Sequence, residues 1–84
     1  MEDLIMKNFI SWNGYSICRW IVAVVDGNII GEFDSITEAK REMKGSSCKF
    51  LYAVAEEINK DGDINPPVYG DTLKEAMDRI KNIL

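Results

Sequence analysis

Two stretches decide the fold: Cys18-Arg-Trp-Ile-Val-Ala-Val-Val-Asp26 and Cys48-Lys-Phe-Leu-Tyr-Ala-Val-Ala-Glu56. Set over one another at an offset of 30, they are identical at three of nine positions. Five more positions conserve charge sign, aromaticity or aliphatic character, and Val22 against Tyr52 is the loosest match. Both are rich in β-branched and aromatic residues, which suit a pleated, half-buried surface. Each therefore reads as a strand.

A second match follows the first in the same order. Asp34-Ser-Ile-Thr-Glu-Ala-Lys-Arg-Glu-Met-Lys44 lies over Asp71-Thr-Leu-Lys-Glu-Ala-Met-Asp-Arg-Ile-Lys81 at an offset of 37. Each block opens with a capping box, Ser35 with Glu38 and Thr72 with Glu75. Ile36, Ala39 and Met43 form one apolar stripe, and Gly45 supplies a helix stop. Leu73, Ala76, Met77, Ile80, Ile83 and Leu84 form a longer one. Between strand and helix, Asp26-Gly27-Asn28 and Asp61-Gly62-Asp63 are turn signals, and Ile29 to Phe33 and Ile64 to Tyr69 are return strands. Pro66-Pro67 confines the second return strand to a sheet edge, because neither residue can donate to a ladder. Asn13-Gly14 marks a further hairpin that adds an N-terminal strand from Phe9, and residues 1–8 read as a short helix or a frayed end.

The expectation is an α+β fold in one domain, 1–84. Duplicated ββα units, 9–45 and 47–84, form one antiparallel sheet of four to five strands with two helices on one face. The strands at 17–25 and 48–57 are expected in its centre. Eighty-four residues leave room for one core only.

Composition narrows the chemistry. The chain has no histidine, which removes Ser-His and Cys-His nucleophile pairs and the common zinc sites. No catalytic, cofactor or metal residues are expected. Asn59-Lys-Asp61-Gly-Asp63-Ile-Asn65 opens like a calcium loop, but Ile64 stands where the loop needs glycine and Gly70 where it needs a carboxylate. Glu56 and Glu57 are adjacent on a strand and point to opposite faces, so they are no acid pair. Trp12, Tyr15 and Trp20 are expected in core and turn packing rather than on a base-stacking platform. Two cysteines, Cys18 and Cys48, are too few for a stapled secreted scaffold and read as free thiols. The longest apolar run, Trp20 to Val25, is far too short to span a bilayer, and Glu2 and Asp3 stand where a leader would be basic. A cytoplasmic location is expected.

The net charge is −4, with five basic and seven acidic residues in each half, so the charge forms neither a tail nor a patch. Both parities of both main strands are apolar, whereas a sheet with one wet face alternates. Trp20, Val22, Val24, Phe50, Tyr52 and Val54 are assigned to the helices. Arg19, Ile21, Ala23, Val25, Lys49, Leu51, Ala53 and Ala55 are assigned to the second face. Leu4, Ile5, Met6, Phe9 and Ile10 are available to cover it. Otherwise it serves a second copy of the chain or another protein.

Tyr15…Arg19-Trp20…Ala23…Asp26-Gly27…Gly31-Glu-Phe-Asp-Ser35-Ile-Thr-Glu-Ala39 resembles the AP2-type DNA-binding module and the arm-binding domain of phage and transposon integrases. The resemblance covers residues 9–44, with an echo at 48–81. It implies a three-stranded sheet packed on one helix, with one strand parity reading DNA through arginines. Gly70-Asp-Thr-Leu-Lys-Glu-Ala76 is similar to a segment of HicB-type antitoxins, which implies a small bacterial or phage protein. The DNA-reading positions are apolar here, with only Arg19 and Lys49 basic at the strand ends. The first expectation is therefore a non-enzymatic binding or regulatory protein acting through protein contacts, for instance as an inhibitor. An integrase-like nucleic-acid-binding accessory protein is the alternative. The expected partners are a protein or a second copy bound at the sheet face, rather than nucleic acid or membrane.

Overall fold

The computed structural model describes residues 9–59 and 61–84. The chain runs β1 (Phe9–Trp12), β2 (Tyr15–Val25), β3 (Asn28–Phe33), α1 (Ile36–Glu42), β4 (Lys49–Glu56), β5 (Val68–Gly70) and α2 (Leu73–Lys81). The five strands form one antiparallel sheet, so the fold is α+β. β2 and β4 are central and β5 is one edge. β1 and β3 share the far side of β2: β1 pairs with Tyr15–Cys18 and β3 with Ile21–Val25. At 11 residues, β2 is long enough to serve both.

Both tight hairpins have the chemistry they need. Asn13 and Gly14 adopt φ of 52° and 84°, and Asp26 and Gly27 adopt 52° and 79°. Two consecutive left-handed residues match the right-handed twist of the flanking strands. Asn28, expected in the second turn, instead opens β3. A bulge then follows, since Ala23 pairs with Gly31 and Val24 with Ile29, which leaves Ile30 as the extra residue.

The helices begin where the caps place them. Ser35 Oγ accepts from Glu38 N at 3.1 Å, and Thr72 Oγ1 accepts from Glu75 N at 3.1 Å. The glutamates return the bond one residue earlier than a standard box, to Asp34 N and Asp71 N. α1 ends at a Met43 cap, before Gly45. Of its expected stripe only Ala39 is fully buried. On α2, Ala76, Met77 and Ile80 are buried, but Ile83 lies past the last turn and is 67% exposed. The expected return strand 64–69 is shortened to Val68–Gly70, with a single bridge from Ile64 to Glu57. The prolines at 66 and 67 interrupt the ladder, because they lack the N–H it requires.

Helices of seven and nine residues are too short to hold themselves together. Each fully buried Ile or Val contributes about 1.5–3 kcal/mol, against about 1 kcal/mol for a helix cap. Stability therefore rests on Ile17, Ile21, Val22 and Val54, all on the central strand pair, and on Ile80 of α2.

Antiparallel Cα partners share a face of the sheet. Ile17, Ile21 and Ala23 oppose Glu56, Tyr52 and Phe50, and Ile17 and Val54 pack on Ala76, Met77 and Ile80 of α2. α1 lies against β2 and β3. On the opposite face Cys18, Trp20 and Val22 oppose Ala55, Ala53 and Leu51, and no helix residue joins their cluster. This corrects the assignment of faces. The helix side of β2 is Ile17, Ile21 and Ala23, not Trp20, Val22 and Val24.

The cause is a one-residue offset. Phe33 and Gly70 each stand two residues before a helix cap, at Ser35 and Thr72. Phe33 pairs with Ile21 and Gly70 with Tyr52. Ile21 and Tyr52 thus hold corresponding places 31 residues apart, whereas the best sequence match sets Ile21 over Leu51. A slip of one residue reverses the face of every side chain.

The junction of β5 with α2 is closely packed. A Cβ on Gly70 would lie 2.5 Å from Ala76 N and 3.0 Å from Ala76 Cα, both backbone atoms. Gly70→Ala should therefore destabilise the fold by about 1–3 kcal/mol in chemical denaturation. Gly62→Ala, where a Cβ meets nothing within 4 Å but the positive φ remains, provides the comparison. An unchanged midpoint for Gly70→Ala would contradict this packing.

Candidate functional site

The face without helices is closed at one end and open at the other. At the closed end Cys18, Trp20, Ala53 and Ala55 are buried, with Ile64 and Tyr69 packed against their cluster. Trp20 is 5% exposed, and its indole Nε1 is buried with no hydrogen-bond partner. At the open end Val22, Val24, Gly27, Ile29, Leu51 and Tyr69 line a groove of about 240 Å³. Ile29 is 46% exposed there. On the same face Phe9, opposite Cys18, is 40% exposed.

The eight residues expected to form one surface are divided by the register. Arg19, Ile21, Ala23 and Val25 belong to the face that carries α2. Ile21 and Ala23 are buried. Lys49, Leu51, Ala53 and Ala55 belong to the opposite face, where the two alanines are buried and cannot meet a partner. Leu51 alone of the eight lines the groove. Arg19 and Lys49, the two basic strand ends, lie on opposite faces. Val22, Val24, Ile29 and Tyr69 were missed as surface formers. The hairpin at Asp26-Gly27 carries the signal for two of them, since it folds Ile29 back beside Val24. Of the side chains expected to cover this face, Ile10 turns to the helix side and Phe9 to the groove side. Leu4, Ile5 and Met6 lie outside the described residues, as does the expected element at 1–8.

A polar strip adjoins the groove and shares Leu51 and Tyr69 with it. Its charges are engaged within the chain. Lys49 Nζ is 3.0 Å from Asp71 Oδ1, and Arg79 pairs with Glu75 at 3.9 Å and donates to the Tyr69 carbonyl. Elsewhere, Asn59 Oδ1 accepts from Asp61 N at 2.8 Å, and its Nδ2 donates to Asp63 Oδ2. These polar atoms serve the turn itself. Among the described residues no group of three or more His, Cys, Asp or Glu is placed to hold a metal ion, and no helix is long and apolar enough to cross a membrane. Trp12 and Tyr15 stack across the first hairpin at 6.0 Å, with Lys81 Nζ 5.4 Å from the Trp12 ring centre. Trp20 lies on the opposite face, so the three aromatics form no common platform.

Comparison with protein-family models, curated proteins and solved structures found no match to the chain.

Both cysteines are free thiols. Burial pushes the Cys18 thiol above the usual 9.0, and the Glu57 carboxylate pushes in the same direction. The stability this confers is complete below the unfolded value. It is lost as pH rises through that value towards the folded one. At about pH 8 a thiol-exchange reagent should titrate Cys48 readily and reach Cys18 only on unfolding. Two equally fast thiols would contradict the burial of Cys18.

Proposed function

We propose that this chain is a non-enzymatic binding protein that regulates another protein by docking it on the groove side of the sheet. The observation that supports the reading is the apolar tract of Val24, Ile29, Leu51 and Tyr69, which no described element covers. Its occupant on this reading is a partner segment presenting one or two apolar side chains. The groove volume suits a single large side chain, and its lining carries no charge. The adjoining ion pairs would form the polar rim that such interfaces have. The reading also retains duplication of a ββα unit as the origin of the chain, supported by the two alike strand-to-cap junctions.

Affinity capture from the source cells with parallel baits tests it. Wild type and Ile83→Lys, altered on α2 away from the groove, should retain the same protein, and Leu51→Lys should lose it. Equal retention by all three baits, or by none, would sink the reading. Labelled duplex DNA should show no shift at low salt. A shift with a steep salt slope would favour the nucleic-acid alternative.

A further inference from the structure

The two edges of the sheet are finished differently. Glu57 N donates to the Ser16 carbonyl at 2.9 Å, so even-numbered residues of β2 and odd-numbered residues of β4 turn their backbone groups towards each other. Even-numbered residues of β4 therefore bond to β5, through the pairs Tyr52–Gly70 and Val54–Val68. Tyr69, between them, turns its N–H and C=O outward. Arg79 Nη1 occupies that carbonyl at 2.5 Å, and Pro66 and Pro67 offer no N–H just upstream. This three-residue edge is blocked against a further strand.

The β3 edge has neither proline nor a capping arginine; it carries only the bulge at Ile30 and the single charge of Glu32. The pair Val25–Asn28 closes the two-residue turn and is hydrogen-bonded, so the next pair, Val24–Ile29, is not. Ile29 then turns its backbone groups away from β2. Beyond the bulge, Val22 spends its groups on β4, so its partner Glu32 also turns outward. No described strand pairs with this outer side of β3. Ile29 and Glu32 are both exposed.

We propose that a second copy of the chain adds to this edge, β3 against β3 antiparallel, about a twofold axis between Ile30 and Gly31. In that register the outward groups of Ile29 meet those of the partner's Glu32, and the reverse holds across the axis. Two hydrogen-bonded residue pairs result. The strand's one charge, Glu32, opposes an isoleucine and, with the bulge reducing the offset to two steps along and one strand across, stands about 8 Å from its own copy. The strand is thus complementary to itself in backbone pattern and in charge. The axis runs perpendicular to the sheet, so the product is one continuous ten-stranded sheet. Both grooves lie on the same side of it and adjoin at Ile29. The proposal rests on the edge and stands whatever occupies the groove.

Sedimentation equilibrium of the full chain tests this, at physiological salt and up to about 100 µM. Wild type should dimerise. Ile29→Glu sets a carboxylate directly opposite the partner's Glu32 on both sides of the axis. It should raise the dissociation constant about tenfold or more. Adding Glu32→Lys restores an opposite-charge pair and should restore the dimer. Ile58→Glu, exposed and away from β3, should leave association unchanged. A wild-type monomer throughout the range would overturn the proposal. So would an Ile29→Glu variant that dimerises like wild type, or a double variant as weak as the single.

Discussion

The pairing of β2 with β4 is the constraint on which the rest of the molecule depends. Ile17 to Val24 run against Glu56 to Lys49 without a break, and the two strands supply most of the fully buried side chains. Both strands are apolar on both parities. The register alone decides which parity meets the helices. With Ile21 opposite Tyr52, the larger side chains of β2 divide between the faces: Ile17 and Ile21 go to the helices, Trp20 and Val22 to the other side. The small Ala53 and Ala55 then lie across from Trp20 and Cys18. An indole beside alanines closes that part of the second face, although no helix joins the cluster. The buried, unpartnered Nε1 of Trp20 is a cost of the arrangement, of about 1–3 kcal/mol.

What remains open follows from the hairpins. β1 and β3 divide one side of β2 between them; the Asp26-Gly27 turn sets Ile29 beside Val24 on the groove face, and the bulge at Ile30 then brings Glu32 opposite Val22. The groove and the unpaired edge of β3 are therefore neighbours, built from the same six-residue strand. The opposite edge is closed by two prolines and by Arg79 reaching back from α2. Local chemistry at the two edges, rather than overall charge, makes the molecule asymmetric.

Much of this was legible in the residues. Asn13-Gly14 and Asp26-Gly27 announced their hairpins, because few other residues accept the left-handed φ that tight turns demand. Ser35 and Thr72 announced their helices through a hydroxyl that accepts from the third amide onward. Pro66-Pro67 announced an edge strand, though not how short it would be. The face assignment was not legible. Similarity between two strands is scored on residue type, and type does not register a shift of one. Cys18 over Cys48 is the better chemical match, yet the strand-to-cap junctions require an offset of 31. The error put Arg19, Ile21, Ala23 and Val25 on the wrong face; Lys49, Ala53 and Ala55 lie on the groove face without lining the groove, and only Leu51 lines it.

That register can be read directly in solution. Arg19–Val54 and Ile21–Tyr52 are non-hydrogen-bonded pairs, whose facing α-protons come close enough for strong cross-relaxation. A nuclear Overhauser spectrum should show Hα–Hα peaks between Arg19 and Val54 and between Ile21 and Tyr52. Peaks joining Ile21 to Leu51 or Ala53 instead would return the eight residues to one face and contradict the account.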